Sequence, residues 1–214
     1  MQKVILFQGD SITDCSRDRQ NHFHKGRGYA TMVSGILNVE FPYQYTIYNR
    51  GITGNSSNDL YARRQEDIFD LKPDYMSLLI GVNDVWGEIV HGNGIPAETY
   101  EKTLCSLIDE TKERFPNIKI MLLEPFVLPG LATENTEEFP DRWERFYSLV
   151  RRHAETAKRV AEKYNLVFVP LQDMFTKVNK GAPAGYWCRD GVHPTDAGHE
   201  LMKREWLKAF EQMK

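Results

Sequence analysis

Val4-Ile5-Leu6-Phe7-Gln8-Gly9-Asp10-Ser11 is the stretch on which the fold turns. Four apolar residues in a row hardly alternate, so Val4 to Gln8 reads as a strand covered on both faces. Gly9-Asp10-Ser11 then makes a short turn at the strand's carboxyl end, from which the Ser11 hydroxyl can project. A strand buried on both sides belongs in a parallel sheet between helical layers, and parallel neighbours require crossover connections downstream.

Those connections are legible. Tyr29 to Phe41 reads as a helix stopped by Pro42, and Tyr45 to Asn49 as the second strand. Ser57 to Leu71 is a charged amphipathic helix ending before Pro73, and Tyr75 to Ile80 is the third and most apolar strand. Ala97 to Phe115 is a helix ended by Pro116, and Ile118 to Leu123 the fourth strand. Phe139 to Tyr164 is a long helix with Asp141 available to its first turn; Leu166 to Val169 is a fifth strand, and Asp196 to Met213 the closing helix. Strands alternating with helices imply βαβ units with right-handed crossovers. The expectation is an α/β protein: a three-layer α/β/α, flavodoxin-like fold with a five-stranded parallel sheet. No repeat or linker interrupts it, so residues 1–214 read as a single domain. Phe126 to Pro140, which holds Gly130, two prolines and several acidic residues, reads as a surface loop near the site.

In an open parallel sheet, ligands bind beyond the carboxyl ends of the strands. Three unusual segments fall there: Gly9-Asp10-Ser11, Gly51-Ile52-Thr53-Gly54-Asn55 and Gly81-Val82-Asn83-Asp84. A serine hydroxyl is a poor nucleophile until a base takes its proton, and that base needs a third group to hold its tautomer. Asp190-Gly191-Val192-His193-Pro194 offers both. Within an irregular turn Asp190 can reach back to the His193 ring, and Pro194 starts the last helix and holds His193 at its entrance. The relay this suggests runs from Ser11 to His193 Nε2, with Nδ1–H donated to Asp190. Acyl transfer also needs donors for the developing oxyanion. The N–H groups of Ser11 and Gly54 and the Asn83 side-chain amide are the candidates. Singly, a Gly-Asp-Ser turn is most often only a turn and an Asp-x-x-His pair a helix cap; the weight lies in their convergence on one rim. The G-x-S-x-G nucleophile elbow is absent, which makes this a different serine-hydrolase layout.

Composition narrows the partners. The chain has 214 residues, 41% hydrophobic and 27% charged, enough apolar material for a core and too much for a disordered chain. A net charge of −3 offers no field for a polyanion, so no nucleic-acid partner is expected. Met1-Gln2-Lys3 leads straight into the first strand without the pattern of a secretory leader. No apolar run approaches the roughly 18 residues of a membrane span, so no membrane partner is expected. Cys15, Cys105 and Cys188 are odd in number and lack CxxC spacing, which fits a reduced, cytoplasmic setting better than a disulfide scaffold or a zinc site. With no dinucleotide fingerprint, Walker loop or metal-ligand cluster, no cofactor and no metal are expected. Aromatic-bearing surface helices are compatible with a homo-oligomer.

Other residues take plainer readings. His22-x-His24 reads as solvated loop, His199 as a helix-surface or packing residue and Asp84 as a structural hydrogen-bonding group for the Asn83 loop. Cys15 reads as a small packing residue, and the charged run Arg142 to Arg159 as the solvated face of a helix.

The four blocks together resemble a known family. Phe7-Gln8-Gly9-Asp10-Ser11-Ile12-Thr13-Asp14 resembles the first block of the SGNH (GDSL-type) hydrolases, reading GDSIT where many members read GDSL. Asn49 to Ser56 is similar to the second block with Gly54 at its glycine, Gly81-Val82-Asn83-Asp84 to the third, and Asp190 to Pro194 to the DxxHP block. The resemblance spans Gly9 to Pro194 and implies the fold above and a serine esterase using Ser11, His193 and Asp190, with Ser11, Gly54 and Asn83 as oxyanion donors. Thr13-Asp14-Cys15, Asn83-Asp84-Val85-Trp86 and Trp187 resemble intracellular bacterial acetylxylan esterases, which remove acetyl groups from short xylo-oligosaccharides. That implies a small-molecule ester, an acetylated oligosaccharide, as substrate, with Trp86 and Trp187 either walling a sugar ring or packing the core. The competing readings are a lysophospholipase or thioesterase with the same triad, a non-catalytic sugar- or ester-binding module, and a nucleotide-binding role on the same fold.

Overall fold

A computed structural model describes residues 2–214. β1 (Lys3–Gly9), β2 (Tyr45–Asn49), β3 (Tyr75–Leu79), β4 (Lys119–Leu123) and β5 (Val167–Val169) form one sheet in the order β2-β1-β3-β4-β5. Every pairing is parallel. This is the doubly wound, flavodoxin-like order, in which the chain reverses its direction of travel across the sheet beside β1. The expected five-stranded α/β sheet is therefore what the sequence forms.

The helices are α1 (Ser11–Asp14), α2 (Tyr29–Glu40), α3 (Ser57–Ala62), α4 (Val82–Trp86), α5 (Ala97–Arg114), α6 (Arg142–Tyr164), α7 (Leu171–Val178), α8 (Ala184–Trp187) and α9 (Asp196–Glu211). The period-2 geometry of the strands divides the core in two. Ile5 and Phe7 of β1, with Met121 and Leu123 of β4, face α2, α7 and α9. Leu6, Met76, Leu78, Ile120 and Leu122 face α3 and α5 on the other side. The long α6 serves both, with Phe146 and Val150 on the first side and Ala157 and Val160 on the second. The ring of Trp206 stacks 5.0 Å from Phe7, and its Nε1–H donates to Ser77 Oγ at 2.9 Å, so the buried indole keeps a partner. Among the described residues, no helix is long and apolar enough to cross a membrane.

Three expectations change. The helix anticipated over Ser57 to Leu71 stops at Ala62 and resumes as a π-helical turn, Gln65–Phe69. The break falls at Arg63, whose guanidinium turns inward to bond the β1 and β2 loops. Helix α6 starts at Arg142, with Asp141 at its N-cap making no side-chain capping bond. Phe126 to Pro140 is not simply a surface loop: Phe126, Val127, Leu128 and Thr133 are buried, and only its later part is exposed.

Candidate active site

Ser11 is the first residue of α1, immediately past β1. Asp10 caps this one-turn helix, its Oδ1 accepting from Ile12 N–H at 3.0 Å. The first N–H groups of a helix have no acceptor within it, so the Ser11 N–H remains available to a ligand.

Neighbouring loops are tied to this turn. Gly9 O accepts from Ile52 N–H at 3.0 Å and from Arg63 Nη2 at 3.2 Å. Arg63 Nη1 also donates to Arg50 O at 2.9 Å, and Arg63 Nε to Asn55 Oδ1 at 2.6 Å. Asn49, at the tip of β2, donates to Thr13 O and Lys25 O and accepts from Gly51 N–H. Buried Asp14 accepts from Thr53 N–H at 2.9 Å and from the Thr53 hydroxyl at 3.1 Å. These bonds hold the Gly51–Asn55 loop against α1. Sequence reasoning did not single out Asn49 or Arg63, and it quoted Asp14 only within a motif. An asparagine closing a strand just before a glycine turn was the available signal for Asn49; Arg63, one arginine in a charged helix, gave none.

Gly54 lies in that loop at φ 83°, and a Cβ there would meet nothing within 4 Å. Its glycine is thus required by the backbone dihedral rather than by space. Asn83 is the second residue of α4 and donates one amide hydrogen to Asn55 O at 3.0 Å, leaving the other. Asp84 accepts from the Ser57 N–H at 3.1 Å and from the Ser57 hydroxyl. Burial pushes its carboxyl pKa up against those bonds. The structural role expected of Asp84 is the one its contacts describe.

The segment before α9 supplies the imidazole. Ser11 Oγ lies 2.9 Å from His193 Nε2, and His193 Nδ1 lies 2.7 Å from Asp190 Oδ2. Asp190 Oδ1 accepts from His193 N–H at 2.7 Å and from Val192 N–H at 3.0 Å. The 126–133 segment grips the same turn: Leu128 N–H donates to Gly191 O and Ala132 N–H to Asp190 O. Gly130 packs so closely that a Cβ would run into the Asp190–Gly191 backbone. Pro194 does not start the last helix as expected: α9 begins at Asp196, and the Thr195 hydroxyl caps it directly behind the histidine. Partial burial raises the pKa of Asp190, but the hydrogen bonds from His193 and Val192 outweigh it and hold the carboxyl below the usual range. The bond to Asp190 raises His193 against its own desolvation. Such a chain lets a proton leave Ser11 for Nε2 while Nδ1–H stays on the carboxylate side.

Two buried groups beside this chain are displaced as well. Burial raises Asp10 from 3.8 to about 7, and its Oδ2 meets no protein hydrogen-bond partner among the described residues. Burial lowers His199 to about 4; its Nδ1 accepts from Tyr29 N–H at 3.2 Å, a packing role. Cys15, its thiol raised by burial, lies with Sγ 3.5 Å from His199 Nε2. His22 and His24 are exposed. Among the described residues no group of three or more His, Cys, Asp or Glu side chains is placed to hold a metal ion.

Trp86 borders a cavity of about 390 Å³ together with Gly54 and Asn83. Trp187 does not line it; that ring packs against the core and edge-on to Tyr186, with Nε1 buried and unpartnered among the described residues. A larger cavity of about 580 Å³, between α4, α5 and α6, contains none of Ser11, Gly54, Asn83 or His193.

An acetylxylan esterase from Geobacillus stearothermophilus is 36% identical, over 95% of this chain and 92% of that protein. The crystal structure of that organism's acetylxylan esterase Axe2 superposes with a TM-score of 0.81 at 35% identity, covering 97% of this chain and 93% of that one. A candidate GDSL-like lipase from Parabacteroides merdae superposes with a TM-score of 0.90 at 41% identity, covering 100% and 98%. Residues 7–201 match the model of the GDSL-like lipase/acylhydrolase family. The chain belongs to that family and is a carboxylic ester hydrolase.

Proposed function

We propose that the chain is a serine esterase that removes acetyl groups from acetylated carbohydrates, xylo-oligosaccharides in particular, through an acetyl-enzyme on Ser11. The observation that carries the reading is the continuous hydrogen-bonded chain Ser11–His193–Asp190, with contacts of 2.9 and 2.7 Å. The names of the relatives support the substrate class.

In this mechanism Ser11 Oγ attacks the acetyl carbonyl carbon while its proton passes to His193 Nε2. The carbonyl oxygen becomes an oxyanion, held by the N–H groups of Ser11 and Gly54 and the second amide hydrogen of Asn83. Collapse breaks the ester bond, and His193 returns its proton to the departing sugar oxygen. Water then gives a proton to His193 and attacks the acetyl-serine. The second collapse releases acetate and restores the Ser11 hydroxyl. Asp190 keeps the imidazole in the tautomer that leaves Nε2 free.

The test measures hydrolysis of p-nitrophenyl acetate, butyrate and octanoate and of acetylated xylobiose, for wild type and Ser11→Ala. Good turnover of acetate and acetylated xylobiose, poor turnover of octanoate and a loss of at least about 1,000-fold in the variant are expected. Preference for octanoate replaces the carbohydrate reading with the lysophospholipase or thioesterase one. Full activity in Ser11→Ala removes the acyl-enzyme.

A further inference from the structure

The 390 Å³ cavity beside Gly54 and Asn83 has a wall that no catalytic role explains. Its far side is the segment after α4: a π-helical turn, Gly87–His91, then Gly92 in the left-handed region and Asn93. This wall is fixed to the helix that carries Asn83. Asn93 N–H donates to Gly87 O at 3.0 Å, and Ile95 N–H to Asp84 O at 3.0 Å. Asp59, on the opposite side, uses Oδ2 for the N–H and hydroxyl of Ser56. Its Oδ1, the His91 imidazole and the Asn93 amide make no hydrogen bond among the described residues. Trp86 is the one large aromatic side chain in its lining.

Size and polarity together select the occupant. A methyl group is about the size of a water molecule, whose share of liquid volume is about 30 Å³, so the cavity is an order of magnitude too large for an acetyl methyl. A long acyl chain would cover the Asp59, His91 and Asn93 polar groups with hydrocarbon and leave them without partners, which is costly. A hydroxyl both donates and accepts, and so satisfies a carboxylate, an imidazole and an amide alike. A ring bearing several hydroxyls can also lay its C–H face on Trp86.

We infer that this cavity is the subsite for the alcohol half of the ester, recognising a polyhydroxylated ring through Asn93, His91 and the free oxygen of Asp59, with Trp86 beneath it. The inference rests on the carbohydrate-esterase reading above and assigns specificity for the leaving group to the segment after α4.

The experiment compares kcat/KM for acetylated xylobiose and for p-nitrophenyl acetate, whose leaving group has no hydroxyl cluster, in wild type, Asn93→Ala, His91→Ala and the double variant. Each single change is expected to lower the ratio of the two values about 3- to 10-fold, mainly through KM for the sugar ester, and the double change more. A ratio that stays at the wild-type value in all three variants, while wild type still favours acetylated xylobiose, overturns the subsite and leaves the esterase reading standing. Equal losses on both substrates overturn it too, because they place these residues outside leaving-group recognition. Wild-type preference for p-nitrophenyl octanoate defeats the carbohydrate reading itself, and the subsite with it.

Discussion

Asp10 gives the sharpest physical test of this structure. Its side chain is 1% exposed, adjoins the candidate nucleophile and receives one hydrogen bond, from Ile12 N–H. The charged and titratable groups acting on it are His193, which favours its ionised form, and Asp84, which opposes it. Burial dominates and raises its pKa from 3.8 to about 7. Between those values the folded chain holds a proton that the unfolded chain has released, so stability falls as pH rises through the window. Each pH unit well inside it is worth about 1.4 kcal/mol, and from about pH 5 to about pH 8 the loss is about 2–3 kcal/mol, the slope flattening as pH passes 7. Asp10→Asn removes the titration but keeps an Oδ1 to cap Ile12, so the variant serves as a reference without this charge. Urea unfolding of both proteins between pH 5 and pH 8 should show wild type losing about 2–3 kcal/mol relative to the variant. Two stability profiles that stay parallel across that range would mean that Asp10 ionises as an ordinary carboxylate, and the argument from burial would fail.

Two further predictions concern the proposed chemistry. Asp190→Asn removes the bond that raises His193, and the base works only when neutral; activity should fall about 10,000-fold, with the acid limb of the residual pH–rate profile moved to lower pH. An acid limb that stays in place would separate Asp190 from the base. Gly54→Ala meets no steric obstacle but must hold φ near 83° or give it up; a stability loss of about 1–2 kcal/mol and a kcat loss of about 100-fold from a misaimed donor are expected, and an unchanged kcat would remove Gly54 from the oxyanion set.

The sheet could be read from the sequence because its signal is local. Val4 to Phe7 is apolar without alternation and Tyr75 to Ile80 nearly so, and the connection after each includes a helix, α2 or α5, long enough to show its 3.6-residue period. The candidate nucleophile, base and orienting carboxylate could be picked out for another reason: their turns are ordinary singly, but the sheet order puts Gly9-Asp10-Ser11 on the same rim as the Gly54 and Asn83 segments, with Asp190-x-x-His193 at the entrance to the last helix. Helices α1, α4 and α8 are four or five residues long, shorter than any period can register. The grip of Leu128 and Ala132 on the Asp190 turn is made by backbone groups, to which side-chain identity gives almost no clue. Prolines and acidic residues drew attention to the exposed part of that segment, and the buried Phe126-Val127-Leu128 beside them was overlooked. Arg63 escaped notice because an arginine that leaves a helix face to bond a distant loop looks, in sequence, like one that stays in solvent.

The rim concentrates backbone donors where ester cleavage would place negative charge. Ser11 is the first residue of α1 and Asn83 the second of α4, and those helices are about one turn long, so they offer the local Ser11 N–H and the Asn83 side-chain amide rather than a macrodipole. Two buried carboxyls, Asp10 and Asp84, lie behind the same rim, and a charge on either opposes an oxyanion in front of it. Asp84 is answered by the N–H and hydroxyl of Ser57. Asp10 has one donor and an unpartnered oxygen, so its neutral form suits both its own burial and the reaction. On this argument Asp10→Asn matches wild-type kcat/KM below about pH 7 and exceeds it increasingly above, as the wild-type carboxyl ionises. A rate ratio that stays flat while the stability difference moves would mean that the charge on Asp10 is felt by the fold and not by the transition state.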